Sequence, residues 1–401
     1  MKRKFFIKYL TIFFVLSFVF ACTKYEEPSL INDPNKTYSK SPVVTGVIPK
    51  DSAIAGVREI IIAGSDFATG GGDTTWVYIG GKPAKIKNIS SDRIVIYRPA
   101  LADDKYGKPI HISVLNPNAL GTAKIINYKL EQPVIRYGNF SNYIYNLFAV
   151  EVDKQENLFI ATRRYVLKFD GREITQSPQL SNDFARITDL KFGPGGYLYI
   201  PIDKTDIHRM DVSAWKTEKY VTLPNVTSRL DFDDKGNLYT AKANGIYVVN
   251  PDKNIITTQK LNGITIVELR VYNGFVYAAS SSALYKIPII DSKGNLGEVQ
   301  LIIDIKSYPE FSNCDISSFT ISNDGSIYLC LKNHPSYSIF VLEKDNTITP
   351  FYVDNILPQR VDQIIWGNSR FVYLNRGTLL KDSVRVYKMG MDRNGAPYLG
   401  R

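Results

Sequence analysis

Polar side chains recur at matching places in the C-terminal part of the chain. Asn146, Asp189, Arg229, Glu268, Ser318, Asp362 and Gln363 stand at or near the start of short apolar runs. Arg163, Asp203, Lys204, Lys242, Lys332, Asn333, Asn375 and Arg376 follow the next run. Brought to one place, such a mixture of acids, bases and amides hydrogen-bonds hydroxyl-rich ligands, and Tyr145, with Tyr143 and Tyr337, adds rings on which a sugar can stack. Glu268 with Asp189 or Asp362 would make the carboxylate pair of glycoside chemistry. Metal and thiol chemistry have little to work with. Three His and three Cys in 401 residues are too few for a multi-ligand zinc site or a disulfide scaffold. His111, His208 and His334 stand in separate segments and read as packed or surface residues. Cys314 and Cys330 read as buried free thiols. There is no Gly-x-Ser-x-Gly elbow. No catalytic residue, metal or cofactor is assigned.

The elements that carry these residues repeat. A short apolar strand, a tight polar turn and a small-plus-aromatic strand recur six times from Phe148 onward. The apolar anchors Leu158, Leu198, Leu238, Val276, Ile327 and Val372 are spaced by 40, 40, 38, 51 and 45 residues. A third run follows in each copy (residues 165–170 and 245–250), and a fourth in several (residues 220–223 and 300–303). Four strands per copy with no helical period predict a six-bladed β-propeller over residues 134–401. Antiparallel pairing puts the start of strand one and the end of strand two on the same face. The sixth copy lacks a fourth strand, and residues 134–137 are predicted to supply it. The motif Asp233-Asp234-Lys235-Gly236-Asn237-Leu238-Tyr239 resembles NHL and gluconolactonase-like propellers. The latter hold a divalent metal with Glu, Asn and Asp. Glu268, Asn146, Asp189 and Asp362 are of the right types, but their spacing is not specific to that set and the metal is not carried over.

Residues 42–131 alternate short β-type runs with Gly-, Pro- and Asn-rich turns, the pattern of a β-sandwich. The pieces Ile62-Ala63-Gly64-Ser65-Asp66-Phe67 and Val77-Tyr78-Ile79-Gly80-Gly81-Lys82-Pro83, in that order, resemble the IPT/TIG immunoglobulin-like domains. In secreted bacterial proteins the resemblance implies a spacer or docking module. The expected fold class is therefore all-β, an immunoglobulin-like β-sandwich followed by a six-bladed propeller.

The N-terminus carries an address. Lys2, Arg3, Lys4 and Lys8 precede thirteen uncharged residues, 9–21. A bilayer span needs about 20 apolar residues, so the run reads as a signal peptide. It ends Val19-Phe20-Ala21-Cys22, which resembles a bacterial lipobox and implies cleavage before Cys22 and its lipidation. Glu26 and Glu27 resemble the acidic surface-export signal of Bacteroidota lipoproteins. Residues 22–41 read as a flexible tether. The net charge of +10 looks at first like a nucleic-acid footprint. Four of those charges lie in the signal peptide, and the remaining six are spread without a basic run. A nucleic-acid partner is not expected.

These features together imply an outer-membrane-anchored, surface-exposed lipoprotein. It would bind an extracellular ligand, a glycan by preference, as an accessory to a polysaccharide-uptake system, beside an outer-membrane transporter complex. The expected site is the central face of the propeller: Arg163, Asp189, Asp203, Arg229, Lys242, Glu268, Asn333, Asp362, Gln363, Arg376 and Tyr145. The alternatives are a propeller enzyme of lactonase, lyase or hydrolase type acting on a sugar derivative, and an envelope protein-protein interaction scaffold.

Overall fold

The computed structural model describes residues 37–401 except 57–58, 69–74, 141–146, 181–185, 203, 353–356, 358–359, 377–384, 392 and 401. Cys22, the segment read as a signal peptide and most of the segment read as a tether lie outside the described residues. Among these residues every regular element is a β-strand or a single 3-10 turn, and no helix is long and apolar enough to cross a membrane.

The first unit is a sandwich of two sheets. One holds β1 (Val43–Ile48), β3 (Glu59–Ser65), β7 (Arg93–Tyr97) and β6 (Ile86–Ile89), in the order β1-β3-β7-β6. The other runs β2 (Ser52–Ile54), β9 (Thr122–Glu131), β8 (Pro109–Leu115), β4 (Trp76–Ile79) and β5 (Lys82–Pro83). Their alternating residues explain the layering. Ile60, Ile62, Ile94 and Ile96 point inward to meet Val77, Ile79, Ile112 and Val114, and the intervening residues face outward, as a two-sheet packing requires.

Six four-stranded sheets follow, each formed by consecutive strands except the last. Their innermost strands are Ala149–Val152, Lys191–Phe192, Arg229–Phe232, Glu268–Tyr272, Asp315–Ile321 and Gln363–Trp366. The sixth blade takes its outer strand from β10 (Val134–Arg136), where Val134 pairs with Met389 and Arg136 with Tyr387. The ring is thereby closed between the two ends of the propeller. Six apolar clusters hold it, one between each pair of neighbouring blades. In the closing cluster, Val150, Leu158 and Ile160 of blade one pack on Ile365, Tyr373 and Val386 of blade six.

The repeated Asp-x-x-Gly-Asn turn closes on itself. Asp233 Oδ1 accepts from the backbone of Lys235 (3.0 Å) and Asn237 (2.9 Å). Its Oδ2 accepts from Asn237 Nδ2 (2.7 Å) and the Tyr239 hydroxyl (2.9 Å). Gly236 has φ +84°, a conformation open to glycine at low cost. The motif is thus a turn device whose carboxylate is fully engaged within its own hairpin.

The two units meet tightly. Ile54 of the sandwich is buried among Tyr328, Met389 and Met391 of the propeller, and Gly390 N donates to Pro133 O (3.0 Å). Cys314 and Cys330 are buried free thiols, and His111 is exposed. Because β10 joins the two ends of the ring, Ile135→Pro should open it, since proline removes a backbone donor from the middle of the closing strand. We expect the propeller's thermal midpoint to fall by several degrees. An unchanged midpoint would show that closure does not depend on this strand.

Candidate functional site

Each inner strand is the edge of its blade, and its outward backbone groups face the central channel rather than another strand. Buried N–H groups there need acceptors. Side chains from the neighbouring blade supply them. Gln363 Oε1 accepts from Val150 N (2.8 Å), Asp189 Oδ2 from Leu230 N (3.1 Å), Asp231 Oδ2 from Val271 N (2.8 Å) and Ser318 Oγ from Ile364 N (3.2 Å). Ser318 in turn donates to Glu268 Oε2 (2.7 Å). The channel is laced blade to blade by its own polar residues.

Two layers of these residues fill it. The upper contains Asp189, Glu268, Ser318 and Gln363, all buried. The lower contains Glu151, Lys191, Asp231 and Arg270, no more than 2% exposed. Lys191 Nζ lies 3.6 Å from Glu151 and 3.4 Å from Asp231, and Arg270 Nη1 lies 3.0 Å from Glu268. Beneath them the C-terminal segment crosses the face that carries the turns between strands one and two. Ala396 N bonds Ile321 O (2.9 Å), and Gly395 sits so close to Trp366 that a Cβ would collide with the indole. Tyr398 then caps the channel, its ring 3.8 Å from Lys191 Nζ and its hydroxyl 3.1 Å from Thr320 Oγ1.

The opposite face is open. A cleft of about 470 Å³ lies over the upper layer, its charged lining made of Arg186, Arg229, Lys242, Lys332, Arg360 and Asp362. That volume is within the range of small-ligand sites, about 300–1,000 Å³. Arg229 bridges its floor, with Nε on Val267 O and Nη1 on Thr188 O, both at 2.6 Å. Asp362 receives Arg360 (3.0 Å) and Lys332 (3.3 Å).

The residues expected at the site separate into groups. Arg229, Lys242 and Asp362 line the cleft. Asp189, Glu268 and Gln363 lie under it, engaged in the lacing. Arg163 and Asn333 are exposed after the second strands of their blades, and Arg376 is half-buried at the end of another. Asp203 and Tyr145, like Asn146 and Tyr143, lie outside the described residues. Arg186 and Arg360 were not among the expected residues. They stand three and two positions before Asp189 and Asp362, on connectors that the repeat does not index. A basic residue just ahead of an inner strand was the available signal. The lower layer was missed as well, although it follows from alternation two residues along each inner strand.

The upper layer does not fit a divalent metal of the gluconolactonase kind. Glu268 Oε1 already accepts from Leu269 N (3.2 Å) and Arg270, and Oε2 from Ser318. Asp189 Oδ1 accepts from Leu190 N (3.0 Å), and its other oxygen is taken by Leu230. The Arg270 guanidinium already neutralises Glu268, with Nη1 3.0 Å from Oε1. Among the described residues, no group of three or more His, Cys, Asp or Glu side chains is placed to hold a metal. His334 is structural: its Nδ1 accepts from Tyr337 N (3.0 Å) and its ring packs on Phe340.

Residues 42–129 match the IPT/TIG domain family. No curated protein matches the chain. Among solved structures, the chain is similar to an auxiliary nutrient binding protein from Bacteroides ovatus, with 14% identity and a TM-score of 0.51. That match covers 88% of this chain and 99% of the other, so it spans both units. It is also similar to regucalcin, a calcium-binding protein from Agrobacterium tumefaciens, at 13% identity and a TM-score of 0.51, over 64% of this chain and 94% of that one. At these identities the likeness is one of fold.

Burial pushes the Asp189 carboxyl up to about 6, and Glu268 adds to this while Arg229 and Arg270 oppose it. The folded chain therefore keeps this proton between about pH 4 and 6, where the unfolded chain has released it. Stability from this group falls as pH rises through that window. Asp189→Asn should gain on the natural chain from pH 4 to 7, by about 1–3 kcal/mol in urea unfolding. A pH-independent difference would show that Asp189 does not titrate there.

Proposed function

We propose that this protein is an exported, lipid-anchored binding protein of the cell surface. Its propeller captures an extracellular glycan in the cleft above the channel, as an accessory to an outer-membrane uptake complex. One observation carries the reading: the channel is capped by Tyr398 at one end and opens at the other into a cleft of ligand size with convergent polar side chains. A pore sealed in this way serves capture at one face rather than passage. The address rests on Cys22 and the signal segment before it. The tether and the sandwich would then hold the propeller away from the membrane. The shared architecture with a structure described as an auxiliary nutrient binding protein supports an accessory, ligand-binding role.

The test has two parts. Cys22→Ser should move the protein from the membrane fraction to the soluble fraction, whereas equal membrane retention would remove the anchor from the account. Residues 42–401 should be retained by at least one immobilised polysaccharide. Co-purification with transporter subunits and no retention on any polysaccharide would favour a scaffold instead.

A further inference from the structure

The sandwich has two poles, and its strands assign them. At one, Ile54 enters a core cluster of the propeller and Glu131 pairs with Arg370 at 3.0 Å. At the other, the chain enters the described residues. Ser39 bridges to Ala119, with its N donating to Asn118 O (2.8 Å), and Ser41 Oγ accepts from Gly121 N (3.0 Å). Strand β9 runs from this pole to the propeller, from Thr122 to Glu131. Its ten residues, at about 3.3 Å each, separate the poles by about 30 Å. Cys22 stands fifteen positions before Thr37, so a lipid on Cys22 brings the bilayer to the pole that carries Ser39. That pole also exposes apolar side chains. Leu120, next to the bridge at Ala119, is 65% exposed, and Trp76 is 53% exposed. Trp76 pairs with Leu115, and Leu115 with Thr122, so Trp76 lies at the same end as the 116–121 turn. Val43, exposed at the start of β1, is at this end too. The other two tryptophans lie in the propeller, Trp366 buried and Trp215 half-buried.

We propose that this pole rests on the bilayer surface, with Leu120 entering the acyl boundary and Trp76 the headgroup layer. The proposal rests on the lipid-anchor reading and adds how the molecule stands. An indole has an apolar body and a polar N–H, and such rings settle at the level of the headgroups. Leucine has no polar group to keep it there and goes deeper. Two side chains bind a bilayer weakly when free. Held beside it by an anchor, they meet it at a high effective concentration, and a weak second contact is enough. The fifteen positions from Cys22 to Thr37 reach at most about 50 Å when extended, and a tether of that length fixes neither height nor tilt. The contact fixes both. It stands β9 on the membrane and carries the propeller about 30 Å above it.

The experiment uses residues 22–401 with Cys22→Ser and an N-terminal hexahistidine tag, held on phosphatidylcholine vesicles by a nickel-chelating lipid. The artificial anchor stands in for the natural one, so the contact is tested apart from it. Exchanging the lipid for dibrominated phosphatidylcholine should quench Trp76 at least two-fold, read as the emission that Trp76→Phe removes. Leu120→Ser should cut that quenching by at least half with an unchanged melting temperature. Leu301→Ser, at a residue 59% exposed in blade four, should leave it unchanged. Raising NaCl from 50 to 300 mM should leave it unchanged too, because the contact is apolar and salt screens only charge. Undiminished Trp76 emission over brominated lipid would overturn the contact and leave the anchor standing. Shielding of Trp76 from acrylamide in the absence of vesicles would show a second copy seated on the pole, and would also overturn it. The anchor fails separately, in the fractionation of Cys22→Ser.

Discussion

The propeller depends on one constraint: the inner edge of every blade presents backbone N–H groups to a narrow channel filled by buried polar side chains. An unpaired buried amide costs on the order of 1–3 kcal/mol, and six edges multiply that cost. The chain meets it with acceptors sent from blade to blade, Gln363 to Val150, Asp189 to Leu230, Asp231 to Val271 and Ser318 to Ile364. Acceptors strong enough for the task bring charge with them. Lys191 and Arg270 then enter to balance the carboxylates, and Tyr398 covers Lys191. The same interactions that close the ring therefore also decide which end of the channel can be open.

This constraint divides the polar residues by task. Asp189 and Glu268 have the types and the placement of catalytic carboxylates, yet their oxygens are occupied by the fold. The side chains that line the cleft lie one layer higher, on strand starts, second-strand ends and the connectors into the inner strands. Arg229 joins the two layers. It fastens two backbone carbonyls from different blades and also forms part of the cleft floor. The buried ion pairs below it, Lys191 with Glu151 and Asp231 and Arg270 with Glu268, contribute little net stability, since desolvation offsets their attraction. Lys191 joins side chains of blades one and three across the channel.

The six blades were legible in the sequence because each repeats an apolar hairpin whose anchors recur at spacings of 38 to 51 residues, and the turns at Asp153 and Asp233 close on their own carboxylates. The closing strand was legible for the same reason. The sixth copy lacked a fourth run, and residues 134–137 had no other place. The IPT/TIG sandwich was carried by its glycine-bearing turns. The site was legible only in part. Starts and ends of strands placed Arg229, Lys242 and Asp362 on the cleft face, but Arg186 and Arg360 lie on connectors whose lengths vary between blades and so escape any periodic reading. The occupation of Asp189 and Gln363 by a neighbour's amides depends on the channel's radius, which composition and spacing do not encode. Tyr398 follows the last strand and belongs to no repeat.

The central claim is that the ligand enters at the cleft face and that Tyr398 closes the other end of the channel. Amide hydrogen exchange of residues 42–401, with and without a saturating polysaccharide that retains the protein, tests it most directly. The account predicts slowed exchange in the segments around Arg186, Arg229, Lys242, Lys332 and Arg360. It predicts unchanged exchange in the turns at Asp233 and Asp324 and in residues 393–400. Slowed exchange confined to those turns and to the C-terminal segment would contradict it.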